Sequence, residues 1–371
     1  MRVVYDLRYA ADHFPGIGTH AFCLLEGLLQ SPGDEQYIVL WNPLLRQTRF
    51  DFGPIRSHPR VTWVEMKWAP VAPHMLPRVG AWLREVKPDL YFSPFYLLPV
   101  GAGCPCVLTL HDVWPLRLPG GLPFLRRMFY QLMIAWAARA RLVVTSSEFS
   151  KAEIAELSAV SESLVRVVHL GVPPGRGAIE PRRPASLPRD PFALIVGVNK
   201  PHKNLPMLAR AWAQLGDKPT LQLVSAGPID PRHPRFDDLA RDAGAQQVTV
   251  LGRVEEDELA WLYSHATVVL FPTRYEGFGF PLVEAFRHGA AVIASDIPTL
   301  RETGEGAALF CDPDSPGAWA TAIDGVARDA EWRARLQDAG LQRVKHFTYE
   351  RCARETLAVM REALTPEADE S

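Results

Sequence analysis

Cysteine is scarce in this 371-residue chain: Cys23, Cys104, Cys106, Cys311 and Cys352 are an odd number, scattered except for Cys104-Pro105-Cys106. That suggests neither a disulfide framework nor a zinc site, so a reducing, cytoplasmic compartment is expected. An excess of charge of one sign is also missing, because 40 basic residues face 42 acidic ones and the formal net charge is −2. Without a global basic field, non-specific nucleic-acid binding is not expected. The charge is uneven along the chain: 18 basic and 15 acidic residues lie in positions 1–180, and 22 and 27 follow. The first half is therefore the better side for an anionic acceptor or a membrane surface. Long apolar runs are absent as well. No stretch approaches the ~18 residues of a membrane-spanning helix, and the opening Met1-Arg2-Val3-Val4-Tyr5-Asp6 runs into a strand pattern without a signal peptide's apolar region.

What is present is ordinary globular composition, 47% hydrophobic and 22% charged, at a length that suits two compact domains. Short β-branched runs alternate with longer helical patterns, which predicts parallel sheets built from βαβ units. In the first half the strands are expected at Val3–Asp6, Tyr37–Trp41, Val61–Val64, Leu90–Phe92, Val107–Leu110, Leu142–Thr145 and Val165–Val168. Helices are expected at Thr19–Leu29, Met75–Val86, Pro123–Ala140 and Ser150–Leu157. The proline-rich, aperiodic text from Gly171 to Pro191 reads as a linker. A second series follows, with strands at Phe192–Val198, Leu221–Ala226, Val248–Leu251, Thr267–Phe271 and Ala291–Ser295. Three segments result: a Rossmann-like domain over 1–180, a second over 181–346, and a last helical segment over 347–371.

Ligands of doubly wound sheets sit at the carboxyl ends of strands, so four loops are candidates. Pro15-Gly16-Ile17-Gly18-Thr19 opens a helix after the first strand, where glycines and free N–H groups suit a phosphate, although its spacing is not the dinucleotide fingerprint. His111-Asp112 follows the strand Val107–Leu110, where an imidazole can donate a hydrogen bond or exchange a proton; a structural His with Asp112 capping a helix is the plainer alternative. Gly197-Val198-Asn199-Lys200-Pro201-His202-Lys203 follows the first strand of the second domain and offers lysines to a diphosphate.

The fourth and strongest loop, Phe271-Pro272-Thr273-Arg274-Tyr275-Glu276-Gly277-Phe278-Gly279-Phe280-Pro281-Leu282-Val283-Glu284, carries two carboxylates eight positions apart. Glu284 is expected in the first helical turn, with backbone N–H groups between the two acids that suit an anion. A further stripe, Phe124 to Trp136 with Arg126, Arg127, Arg139 and Arg141, fits an interfacial helix; packing on the first sheet is the reading preferred here. Asp312-Pro313-Asp314 is read as a turn and helix cap.

Taken together, these residues resemble glycosyltransferase family 4, the retaining, nucleotide-sugar-dependent group 1 enzymes of GT-B fold, whose two Rossmann-like domains face each other across a cleft. The Glu276 to Glu284 block is the most specific piece, supported by Thr145-Ser146-Ser147-Glu148 and Val168-His169-Leu170-Gly171-Val172. The resemblance implies that Glu276 contacts the transferred sugar, Glu284 the ribose hydroxyls, and the amides of Gly277, Phe278 and Gly279 the diphosphate. It also implies that His111 contacts the donor sugar, that Gly16 lies near the phosphates, and that the last helix crosses back to the first domain. Lys203 matches the family lysine, but Val198 stands where the family has arginine, with Lys200 as the candidate substitute.

The implied activity is a metal-independent hexosyl transfer, with mannose preferred, from a GDP- or UDP-linked donor to a saccharide or lipid-linked acceptor. No other cofactor is expected, and the compartment is cytoplasmic, with contact at the inner face of the membrane as an option. The alternative, prompted by Val198, is a non-catalytic GT-B partner subunit that binds a nucleotide or glycan.

Overall fold

The computed structural model describes residues 1–117, 124–172, 180–187, 191–216 and 221–365. The chain divides into two compact units, Met1–Pro173 with Thr348–Ser371, and Pro174–Phe347.

In the first unit, seven strands run parallel: β1 (Arg2–Asp6), β2 (Gln36–Trp41), β3 (Val61–Glu65), β4 (Leu90–Ser93), β5 (Cys106–Thr109), β6 (Leu142–Thr145) and β7 (Val165–Val167), in the order β3-β2-β1-β4-β5-β6-β7. Alternation along β1 explains why both faces are covered. Val3 and Tyr5 point into a core shared with Leu24, Leu25 and Leu28 of helix Pro15–Gln30 and with Cys352, Leu357 and Met360 of helix Tyr349–Glu362. Val4 points the other way, towards Leu83, Leu108, Ile134 and Ile154. Strands buried on both faces read as continuous apolar runs, and that is why the sequence pattern located them.

The final helix docks on this unit through two close approaches. A Cβ at Gly27 would meet the Tyr349 carbonyl oxygen at 2.9 Å, and one at Gly171 would meet the Tyr349 nitrogen at 2.6 Å. At the carboxyl end of β1, the buried Asp6 carboxylate accepts from Arg8 Nε at 2.8 Å, Arg8 Nη2 at 2.6 Å and the Tyr91 hydroxyl at 2.7 Å. This pairing raises the Arg8 pKa against the opposing cost of burial.

Two expectations are corrected in this unit. Helix Pro15–Gln30 begins four residues earlier than the periodicity suggests, because Pro15 serves as its first residue and lacks the N–H that would otherwise be unsatisfied. Gly16 and Gly18 therefore lie in a helical turn and not in a loop. The aromatic and arginine-rich helix, Phe124–Ala137, buries Ile134 and Ala137 but leaves Phe124, Leu125, Met128, Phe129 and Leu132 exposed. Packing accounts for one side of it only. Its expected first residue, Pro123, lies outside the described residues.

The second unit has six parallel strands: β8 (Phe192–Val196), β9 (Gln222–Ala226), β10 (Val248–Gly252), β11 (Val268–Phe271), β12 (Val292–Ser295) and β13 (Leu309–Cys311), in the order β10-β9-β8-β11-β12-β13. Sequence reading missed β13, whose three residues are too short to show a period. The strand order reverses between β8 and β11, which pair through Val268↔Ala193 and Val269↔Leu194. The loops leaving these two strands therefore emerge side by side at the switch point of the sheet. Much of the Gly171–Pro191 linker lies outside the described residues. Asp312 accepts from the Asp314 N–H at 2.8 Å, but the helix Pro316–Arg328 is capped by Ser315 and not by either aspartate.

Candidate active site

The loop after β8 is built around Asn199. Its amide Nδ2 donates to the carbonyls of Asp230, His233 and Pro234 at 3.1, 3.1 and 3.0 Å, and its Oδ1 accepts from the Asp230 N–H at 2.6 Å. These bonds join it to the loop that follows β9. The glycines at the two strand ends have separate reasons to be glycine. Gly197 and Gly227 both hold φ +141°, and a Cβ on Gly227 would run into the Gly197 carbonyl. The chain then turns through Pro201–Lys203 and a left-handed Asn204 (φ 55°), whose Nδ2 donates to the Pro313 carbonyl at 2.7 Å.

The loop after β11 is pinned at several points. Thr273 Oγ1 donates to the carbonyls of His202 and Tyr275, each at 3.0 Å, and the Arg274 N–H donates to the His202 carbonyl at 2.8 Å. Thr299 Oγ1 donates to the Glu276 carbonyl at 2.9 Å, and Thr303 Oγ1 to the Phe278 carbonyl at 2.6 Å. Gly279 enters helix Phe280–Arg287 at φ +93°, where a Cβ would lie 2.6 Å from Leu300 Cδ2. Only glycine takes that conformation and that space without strain.

These restraints bring the two loops' charged groups together. Lys203 Nζ donates to Glu276 Oε1 at 2.6 Å, with the side chains 16% and 15% exposed. The same ammonium lies 5.1 Å from the centroid of the Phe271 ring. Glu284 sits in the second turn of its helix, not in the first as expected, because the helix starts at Phe280. Its Oε2 accepts from the buried Tyr263 hydroxyl at 3.1 Å. Burial raises its pKa to about 7, against opposing contributions from the Tyr263 hydrogen bond, Arg287 and Lys203. A buried carboxyl poised near neutrality is what functional sites commonly hold.

A hollow beside the first loop is lined by Gly197, Val198, Asn199, Lys203, Gly227 and Arg235, among others. Lys200 is not part of that wall, and its side chain is exposed. Arg235 is the guanidinium present there. Asp237 holds it through Nε–Oδ1 at 3.0 Å and Nη2–Oδ2 at 2.8 Å. Sequence reasoning missed Arg235 and Tyr263, since nothing in their local text marks them; only the meeting of separate loops does.

In the first unit, His111 follows β5. Its ring meets that of His20 edge-on at 5.3 Å. Burial lowers the His111 pKa to about 4, opposed by a hydrogen bond to the Pro94 backbone, and burial also lowers that of His20. His111 Nε2 is buried without a hydrogen-bond partner. The Pro94 bond therefore belongs to the other nitrogen, and a neutral ring with its proton there presents a lone pair at Nε2. Asp112 accepts from the Trp114 N–H at 3.1 Å. Gly16 is exposed, and a Cβ there would meet nothing within 4 Å, whereas one on Gly18 would meet the Tyr9 carbonyl at 2.8 Å.

Two parallel Rossmann-like sheets of seven and six strands are the architecture of GT-B glycosyltransferases. Sucrose-phosphate synthase from Thermosynechococcus elongatus superposes with a TM-score of 0.73 at 20% identity, over 97% of this chain and 98% of that one. Anabaena Alr3699/HepE, solved in complex with UDP and glucose, does so with a TM-score of 0.69 at 16% identity, over 98% and 100%. The family profile Glycosyl transferases group 1 matches residues 179–343, and Glycosyltransferase Family 4 matches residues 15–176. O-antigen chain mannosyltransferase B from Escherichia coli is 28% identical over 300 residues, 76% of each chain. The chain belongs to the group 1, family 4 glycosyltransferases and is a glycosyltransferase.

Proposed function

We propose that this chain moves a hexose, mannose in the first instance, from a nucleoside diphosphate sugar to a hydroxyl of a saccharide or lipid-linked acceptor, with retention of anomeric configuration and without a metal ion. The observation that carries the proposal is the contact of Lys203 with Glu276 where the loops after β8 and β11 emerge together, with the buried Glu284 carboxyl near enough to feel the Lys203 charge. Mannose is favoured by the name of the E. coli relative, and the nucleotide carried by the donor is taken as GDP in preference to UDP. A lipid-linked acceptor would be met at the inner, cytoplasmic face of the membrane.

In this reading the Lys203 ammonium and the amides of Gly277, Phe278 and Gly279 hold the diphosphate and stabilise the charge that grows as it leaves. Glu284 accepts from the ribose hydroxyls, and Glu276 accepts from a hydroxyl of the sugar. His111 takes a sugar hydroxyl at its Nε2 lone pair, and Gly16 lies by the phosphates. The anomeric C–O bond to phosphate breaks, the acceptor oxygen bonds to the anomeric carbon from the same face, and its proton passes to the departing phosphate oxygen. Arg235, and not Lys200, stands in for the arginine missing at Val198.

Thermal unfolding with GDP, UDP, ADP and dTDP, each with and without EDTA, tests this. A ligand at ~100 times its Kd adds about 2.7 kcal/mol, which raises Tm by at least about 2 °C in a chain of this size. One nucleotide stabilising the protein regardless of EDTA is expected. Stabilisation by a nucleotide without transfer to any acceptor would favour the non-catalytic partner reading that Val198 prompts, and stabilisation by none would remove the donor site.

A further inference from the structure

We infer that helix Phe124–Ala137 is a surface-seeking element that seats the first unit on an anionic lipid bilayer. With 3.6 residues per turn, Phe124, Leu125, Met128, Phe129, Leu132 and Ala135 share one arc of the helix, opposite the buried Ile134 and Ala137. Phe124 is 79% exposed, Leu125 71% and Leu132 58%. Buried packing accounts for the inner side, through Ile134, Ala137 and the partly buried Tyr130, and for the last turn of the outer arc, where Trp136 is partly buried and donates to the Leu98 carbonyl at 3.1 Å. Among the described residues, nothing in this unit covers Phe124, Leu125, Met128, Phe129 or Leu132.

The charges name the occupant. Residues 124–141 contain four arginines and no aspartate or glutamate. Arg126 and Arg127 lie on the two flanks of the apolar arc, and no charged residue falls within it. Arg127 Nη2 donates to the Leu116 carbonyl at 3.1 Å, and Arg139 lies 4.4 Å from the Trp136 ring centroid, so two of the cations are held close to the helix. An apolar face bordered by arginine suits the boundary between acyl chains and anionic headgroups, where such a helix lies in the plane of the interface. A second copy of the chain is a poorer occupant. A two-fold contact along this arc would set the flanking arginines of one copy beside those of the other with no carboxylate between them.

Flotation of the full chain with phosphatidylcholine vesicles carrying roughly one-third phosphatidylglycerol, against phosphatidylcholine alone, tests this inference. The chain should float with the anionic vesicles, with the bound fraction falling severalfold on neutral vesicles or at high salt. A Leu125→Asp/Leu132→Asp variant should partition at least about tenfold less, with its circular dichroism and its nucleotide-induced Tm rise unchanged. Those two controls separate loss of the surface from loss of the fold or of the donor site. Absence of flotation, or equal flotation of the variant, overturns the proposal. A concentration-dependent dimer that the same variant abolishes, without vesicle binding, would assign the face to a second copy and overturn it too.

Discussion

Lys203 Nζ and Glu276 Oε1 stand 2.6 Å apart although 73 positions separate them in the chain. The pair sets the ammonium where it can pass from a protein carboxylate to a diphosphate when the donor enters. A hydrogen bond to a charged group contributes about 1.5–3 kcal/mol. Lys203→Met should therefore weaken binding of a nucleoside diphosphate on the order of 10- to 100-fold while changing affinity for the bare nucleoside little. Calorimetric titration with the diphosphate and the nucleoside in parallel checks this, and an equal loss for both would remove Lys203 from the phosphates.

The two glutamates should separate kinetically. Glu276→Gln keeps the shape of the side chain and should abolish turnover with nucleotide affinity largely retained. Glu284→Ala should weaken nucleotide binding itself. Steady-state transfer together with equilibrium binding decides, and wild-type kinetics in both variants would reject the assignment.

Glu284 also makes a pH prediction. Its folded pKa, about 7, lies above the ordinary value of 4.5, so the native state holds a proton that the unfolded chain releases. The stability it contributes, on the order of 3 kcal/mol, is fully present below about pH 4.5 and is lost as pH rises through 7. Glu284→Gln should flatten that fall in denaturant unfolding. Ribose hydroxyls donate to the ionised form, so nucleotide affinity should rise with pH across neutrality in the wild type and not in the variant.

The histidines act in the opposite sense. Burial depresses His111 to about 4 and lowers His20, so acid drives protons onto the unfolded chain first. Their contribution is present above about pH 6.5 and is lost as pH falls below it, for His111 toward 4. His20→Leu should reduce the slope of stability against pH in that window, and an unchanged slope would show that His20 does not titrate on unfolding.

Two glycines distinguish packing from chemistry. Gly227→Ala puts a Cβ against the rigid Gly197 carbonyl at φ +141° and should cost at least about 2 kcal/mol. Gly16→Ala meets nothing within 4 Å inside a helix and should stabilise the protein by about 0.5–1 kcal/mol. A fall in transfer rate in this more stable variant would place Gly16 beside the substrate. Unchanged transfer would leave it a plain helical residue.

The sequence by itself determined the two sheets, because strands buried on both faces must be apolar along their whole length, and it located the loops where those strands end. Gly279 and Pro281 marked the entry to a helix because backbone conformation at such points admits few residue types. Tertiary structure decided what those loops do together. Lys203 meets Glu276 because β8 and β11 are neighbours at the point where strand order reverses, a pairing of distant segments that no local pattern records. Arg235 and Tyr263 join the site from elements whose own text is ordinary. The same limit applies to helix Phe124–Ala137: its composition allowed either a buried stripe or a surface-seeking one. Only the packing of Ile134 and Ala137 inward, which turns Leu125 and Leu132 outward, distinguishes the two, since amphipathicity fixes that a helix has two faces and not which of them the fold covers.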